Sequence, residues 1–326
     1  MLLFLRRRFL FFFFTYLLSS LTIFFLLRIL PGDPARVIAG GREATAEQVA
    51  EIRAELGLNA PLPAQYISWV GNFLGGNWGD TIAFRGAQNY DLIIERSLNS
   101  ARLAAVALLM SVPLSLVLGV IAGLFENKLP DILISLLTLS VVSLPEFVTG
   151  LFLINIVALR WGSSDLAQSL GWWFPSSSAV RADASFGEML PALWLPAFAA
   201  TLVMLAYISR LTRAGVIEEL KRDYVRTAAL KGIPWRTVIW RHVLRNALLP
   251  TITVIAISIS WLISGLVVIE YVFGFPGLGS LLITAIERRD LLLAQAIAMV
   301  TVTVILFANL FADIAYALLN PRVELA

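Results

Sequence analysis

Long apolar runs dominate this chain. They cover roughly residues 9–29, 102–124, 131–159, 190–209, 247–269 and 292–319, and each approaches or exceeds the ~20 residues a helix needs to cross a bilayer. About six transmembrane helices are predicted. The polar stretches between them differ in charge. Arg6, Arg7 and Arg8 precede the first run, Lys128 lies in the turn after the second, and residues 210–245 hold seven Arg and two Lys against Glu218, Glu219 and Asp223. Residues 32–101 instead carry five Arg against eight acids, and residues 160–189 are mildly acidic. Because Lys and Arg accumulate in the cytoplasmic loops of membrane proteins, both termini are predicted in the cytoplasm and residues 32–101 outside it.

Three regions follow. Residues 1–30 form a cytoplasmic N-terminus and first transmembrane helix, residues 31–101 an extracytoplasmic segment, and residues 102–326 a five-helix core carrying a cytoplasmic segment at 210–246. The first run resembles a signal peptide, but it is longer than an apolar signal core, and Leu30-Pro31-Gly32-Asp33-Pro34 is no small-residue cleavage site, so it is read as an uncleaved helix. In the outer segment, Thr45-Ala46-Glu47-Gln48 fits a capping box that opens a short helix closed at Gly57. Tyr66, Trp69, Phe73 and Trp78 place the next piece along the membrane interface, and Trp172, Trp173 and Phe174 do the same for the second outer loop. Gly119 and Gly123, four apart, would let a neighbouring helix approach closely. Pro113, Pro145, Pro191 and Pro196 can loosen or kink their helices.

Composition narrows the chemistry. The 326 residues are 59% hydrophobic and 14% charged, with a mean hydropathy of +0.82, whereas soluble domains carry about a quarter charged residues. A membrane lipid environment is implied. The net charge of +3 reflects where cations sit relative to the membrane and does not imply nucleic acid. There is no cysteine and one histidine, His242, so thiol chemistry and an imidazole metal site are out of reach. The chain has no phosphate-cradling G-x-x-x-x-G-K-[ST], no H-E-x-x-H and no G-x-S-x-G. No enzymatic role and no bound cofactor are expected.

The cytoplasmic stretch is the most informative. Asp223 reads as an N-cap, Tyr224 to Lys231 as a short helix with Ala228 and Ala229 as small faces, and Gly232 as the residue after the helix that needs positive φ. Pro234 then starts a second helix, Trp235 to Arg245. Small side chains flanked by Arg226 and Lys231 suit a helix laid in a groove of a soluble partner. A solvated hairpin kept basic by topology would show the same pattern. Within the spans, Glu146 stands out beside Pro145, because an ionised group at a helix centre costs about 2.5–3.5 kcal/mol on insertion scales. It could line a water-filled pathway and meet a cationic group of a solute, with Pro145 and Asn155 as further pathway candidates. Equally, it could pair internally or cap a helix broken at Pro145. Asn309 and Asp313, four apart, read as inter-helix hydrogen bonding, and Glu270 as part of a structural turn.

Asp223-Tyr-Val-Arg-Thr-Ala-Ala-Leu-Lys-Gly232, followed by Arg241-His-Val-Leu-Arg-Asn-Ala-Leu-Leu-Pro250, resembles the cytoplasmic signature of binding-protein-dependent ABC importer permeases, in their dipeptide, oligopeptide and nickel branch. Arg226, Thr227 and Ala228 occupy its Glu-Ala-Ala positions, Gly232 is its glycine, and His242 to Arg245 replace its Ile-x-Leu-Pro. Leu30-Pro31-Gly32-Asp33-Pro34, Glu270 to Gly279 and Leu318 to Arg322 match further motifs in the same order, so the resemblance spans the chain.

The resemblance implies a type I importer permease in a bacterial or archaeal cytoplasmic membrane. It implies a second, similar permease subunit, two ATPase subunits that hold ATP and Mg, and an extracytoplasmic solute-binding protein. Asp223, Tyr224, Arg226, Thr227, Ala228, Lys231 and Gly232 would then form the ATPase-coupling element. The competing expectation is a secondary transporter driven by an ion gradient, with Glu146 and Asp313 as ion sites.

Overall fold

The computed structural model describes residues 2–29, 34–39, 43–84, 86–169, 171, 174–181 and 184–319. The described chain is all-α; its only β pairing is one antiparallel bridge between Asp80 and Gln88. The helices are α1 (Leu2–Ile29), α2 (Pro34–Ile38), α3 (Ala46–Glu55), α4 (Leu62–Leu74), α5 (Asn89–Leu124), α6 (Leu129–Val142), α7 (Glu146–Leu153) and α8 (Asp165–Ser169). They continue with α9 (Phe186–Leu220), α10 (Asp223–Leu230), α11 (Trp235–Thr237), α12 (Leu244–Ala247), α13 (Leu249–Phe273), α14 (Leu278–Glu287) and α15 (Leu291–Leu319). Wider π turns run on from α7 over Ile154–Trp161 and join α11 to α12 over Val238–Val243. Within α1, α5, α9 and α15 lie four stretches long and apolar enough to cross a membrane; counting bent helix pairs as single spans raises the number to seven. The predicted six fall in that range.

Two compact units can be distinguished, one built mainly of Met1–Asn99 with Gly277–Leu310 and one of Ser100–Pro276 with Phe311–Glu324. In the first unit, α1 exposes Phe9, Phe11, Phe13 and Phe14, as a helix facing lipid does. α4 lies against it: Tyr66 Oη and Ser20 Oγ are 2.7 Å apart, and Phe24 meets the rings of Tyr66 and Trp69. The expected capping box is present, with Gln48 N donating to Thr45 Oγ1 (3.3 Å) and Thr45 N to Gln48 Oε1 (3.0 Å), and Gly57 follows α3 at φ +62°.

A feature of this unit that the sequence does not show is buried Asp290. Its Oδ2 accepts from Thr81 Oγ1 (2.6 Å), Ile82 N (2.7 Å) and Ala83 N (3.0 Å), while Oδ1 accepts from Leu293 N (3.1 Å). One carboxylate therefore caps α15 and pins the 81–83 loop to it.

In the second unit α9 is central, and α5, α6, α7 and α13 pack around it. Alanines at 197, 199, 200 and 206 are buried along α9, which lets its neighbours come close. The Gly119/Gly123 pair has the predicted use: a Cβ on Gly119 would lie 2.5 Å from Thr212 Cβ, and one on Gly123 2.7 Å from Val216 Cβ. Gly215, on α9, is pressed against the carbonyl of Ala247. Gly119→Leu is therefore expected to cost ~1–3 kcal/mol, the usual price of overpacking, seen as a lower midpoint when the purified protein is unfolded in SDS. A midpoint equal to wild type would mean that α5 and α9 are not held together here.

Pro113, Pro191 and Pro196 leave α5 and α9 unbroken, whereas Pro145 does not. The apolar run at 131–159, read from the sequence as one span, turns by 104° between α6 and α7. Pro145 has no N–H to donate, disfavours helical geometry at Leu144, and sits at φ −58°, ψ 142°. Its carbonyl accepts from Val148 N and Thr149 N to start α7. Leu30 to Asp33, Trp172, Trp173 and Asn320 to Arg322 lie outside the described residues. Phe174 is described, 6.3 Å from the ring of Trp194.

Candidate functional site

The cytoplasmic stretch folds as a tight helical hairpin. α9 ends at Leu220 with Lys221 as its C-cap, and Arg222, extended at φ −73°, ψ 144°, is the N-cap of α10. The cap thus falls one residue earlier than predicted. Asp223 occupies the first helical turn, where its charge still favours the positive end of the helix dipole. Thr227 Oγ1 donates to Asp223 O (3.0 Å). Gly232 has φ +73° and ends α10 with Gly232 N donating to Ala229 O (3.0 Å) and Ile233 N to Ala228 O (3.3 Å).

The inner face of α10 belongs to a core of this chain. Val225 and Ala228 are buried with Val216 of α9, Val238, Ile239 and Val243 of the π turns, and Leu244 and Ala247 of α12. Ala228, expected to offer its small face outward, therefore points inward and allows α10 to seat on its own support. Tyr224 ties the hairpin: its Oη donates to Glu219 Oε2 (2.5 Å) and accepts from Asn246 Nδ2 (3.3 Å). Burial, with the bond to Glu219, pushes the Tyr224 phenol above its usual range. Surface pairs Arg222–Glu218 (2.7 Å) and Lys221–Glu126 (3.2 Å) add little.

What α10 shows outward is Arg226, Thr227, Ala229, Leu230 and Lys231. Leu230 is 81% exposed, and Trp240, carried out by the π turns, is 75% exposed. Leu230 was not singled out on the sequence. Its signal was a large apolar side chain at the end of an otherwise polar surface helix. The product is a ledge with an apolar knob and a basic rim, braced from behind and joined to α9 and α13.

The second feature is an open groove of about 540 Å³ lined by Val142, Leu144, Pro145, Glu146, Phe147, Val203, Tyr207, Gly265 and Val268. Glu146 is the first residue of α7, beside the 104° bend, so it stands at a helix end and not within an unbroken span. It is half-buried. Across the groove, Tyr207 carries Arg210 over its ring, at 5.8 Å to the centroid. Pro145 and Glu146 are thus brought together in one wall. Asn155 is not part of it; its Nδ2 donates to Leu151 O (2.9 Å) within its own helix.

α6 and α9 are joined by an ion pair that the sequence did not reveal. Arg213 of α9 grips Asp131 of α6 with two bonds, Nε to Oδ1 (2.5 Å) and Nη2 to Oδ2 (2.7 Å), and Asp131 also accepts from Asn127 N (2.8 Å) and Ser135 Oγ (3.3 Å). Glu270 is buried near the end of α13 and accepts from Ser100 Oγ (2.5 Å), while its carbonyl and Gly274 at φ +64° close the turn, which agrees with a structural reading. No group of three or more metal-binding side chains occurs among the described residues.

Residues 115–325 match the family model described as the inner membrane component of binding-protein-dependent transport systems. Residues 1–86 match the N-terminal model of the corresponding membrane components. The chain is 36% identical over 308 residues to a probable peptide ABC transporter permease protein of Sinorhizobium fredii, covering 93% of each. It is 35% identical over 320 residues to the di/tripeptide transport system permease protein DppB of Pseudomonas aeruginosa, covering 95% of each. To the glutathione transport system permease protein GsiC of Escherichia coli it is 33% identical over 310 residues, again covering 95% of each.

Proposed function

The chain belongs to the family of binding-protein-dependent transport system inner membrane components, and from that premise we propose that it forms half of the translocation pathway of a peptide importer and takes its drive from ATPase subunits docked on α10. It is a multi-pass permease subunit of an ABC importer. The finer assignments are the peptide solute, a second permease subunit, two ATPase subunits holding ATP and Mg, an extracytoplasmic binding protein and cytoplasmic termini.

One observation carries the coupling reading: α10 is seated on the core by Val225 and Ala228 while Leu230, Arg226 and Lys231 face outward. A push on such a ledge is passed to α9 and α13 instead of being absorbed by a loose loop. Arg226, Thr227 and Lys231 then supply partner contacts, whereas Asp223, Tyr224, Ala228 and Gly232 hold the element in shape. The ion-driven alternative gives this ledge no task.

For the pathway, Glu146 is the group offered to a cationic end of the solute. Glu146→Gln is expected to raise the concentration needed for half-maximal uptake of a peptide with a free amino terminus by roughly tenfold, one lost charge-assisted contact, and to leave an N-acetylated peptide unchanged. Uptake by reconstituted vesicles, with both peptides delivered by the binding protein, measures this. An equal effect on both peptides would remove Glu146 from solute contact.

A further inference from the structure

Beside α4 the first unit contains a cavity of about 510 Å³, large enough for a small polar molecule. Glu55, Trp69, Asn72, Phe73, Trp78 and Gln295 supply its polar and aromatic wall. The wall is built firmly. Trp78 Nε1 donates to Phe73 O (2.8 Å), the two rings stack 5.2 Å apart, and Asn89 Nδ2 donates to Trp78 O (2.9 Å). On the opposite side, Gln65 Nε2 braces the turn before α4 through Leu58 O (3.1 Å) and Ala60 O (2.8 Å).

Gln295 is the telling member. It is 6% exposed, and its Nε2 is buried without a hydrogen-bond partner. A buried donor left without an acceptor is costly, so a polar acceptor belongs in the space it lines. The chemistry of that acceptor can be narrowed. Among the described lining residues no Lys or Arg is present and Glu55 is the one charge, which disfavours an anion and favours a ligand joining an ammonium group to oxygen acceptors. Trp and Phe faces add attraction for a cation.

The position points to lipid. α4 rests on the membrane helix α1 through Tyr66 and Phe24, and exposes Leu62, Ile67 and Leu74, so it lies as an amphipathic helix does at the headgroup layer. We propose that this cavity holds the headgroup of an aminophospholipid of the phosphatidylethanolamine class, with its ammonium toward Glu55 and the aromatic wall and its phosphate or ester oxygens accepting from Gln295. The proposal does not depend on which solute is carried.

The test uses the full chain in nanodiscs containing phosphatidylethanolamine, phosphatidylcholine or phosphatidylglycerol, followed by native mass spectrometry after lipid exchange. The expected result is one retained phosphatidylethanolamine per chain in preference to the other two, with retention falling about tenfold in Gln295→Leu and in Glu55→Gln. Glu55 is exposed, so its variant keeps the test decisive if the buried substitution impairs folding. Retention of all three lipids alike, or retention unchanged in both variants, would overturn the proposal and leave a water-filled cavity. A tripeptide that binds the lipid-free protein in detergent and loses affinity in the same variants would overturn it too, and would make the cavity a solute site.

Discussion

Leu230→Glu is expected to weaken the association of the ATPase subunits with the permease by roughly 10- to 100-fold. Burying a leucine against a partner is worth about 1.5–3 kcal/mol, and each 1.4 kcal/mol is tenfold. Because Leu230 is almost fully exposed in this chain, its replacement leaves the permease fold intact. The loss should therefore appear in co-purification of the ATPase subunits and in ATP hydrolysis stimulated by solute-loaded binding protein, with no change in the thermal stability of the permease alone. Undiminished association would mean that the outward face of α10 is not the docking surface. Substitution of buried Val225 by Glu should behave differently, because it unseats the helix from its core and destabilises the permease itself.

The largest effect on stability is expected from Asp131→Asn. The asparagine cannot accept both guanidinium bonds as an anion, and Arg213 is left facing a neutral amide. Breaking one partner of a buried ion pair costs about 3–5 kcal/mol, less where water reaches the pair. Arg213 is 30% exposed while Asp131 is 4% exposed, so a loss of about 2–3 kcal/mol is the expected figure. Unfolding of the purified protein in detergent measures it. The double variant Asp131→Leu, Arg213→Met should recover most of the loss, since an apolar pair of similar volume substitutes for a buried ion pair at little cost. A double variant as unstable as the single one would show that the pair is needed for more than holding α6 on α9.

Local features of this fold are legible in the sequence because the atoms that decide them are close along the chain. The Thr45–Gln48 capping box, the positive φ of Gly57 and Gly232, and the close approach at Gly119 and Gly123 all follow from short spacings. Charge placement and hydropathy give the membrane class for the same reason. What pairing does at a distance is not legible. Asp131 and Arg213 are 82 residues apart, Asp290 and Thr81 209 apart, and nothing near either acid names its partner.

Hydropathy also cannot distinguish an apolar run that crosses straight from one that turns. The 104° bend at Pro145 was hidden because other prolines, such as Pro113 and Pro196, sit in helices that continue through them. That difference changes Glu146 from a charge within a span to the first residue of a helix lining a groove. The short helix α10 was legible in sequence, but its facing was not. A run of Arg-Thr-Ala-Ala-Leu-Lys leaves open which side meets the chain's own core, and the hydrophobic residues that settle it, Val216, Val238 and Val243, lie on other elements.

The absence of cysteine makes the central claim directly testable. Leu230→Cys introduces a single thiol at the tip of α10, to which a photoreactive group can be attached in the assembled importer with its ATPase subunits and binding protein. An adduct between this position and an ATPase subunit is expected, with a yield that changes when ATP binds. No adduct with an ATPase subunit, in the same preparation that takes up solute, would contradict it.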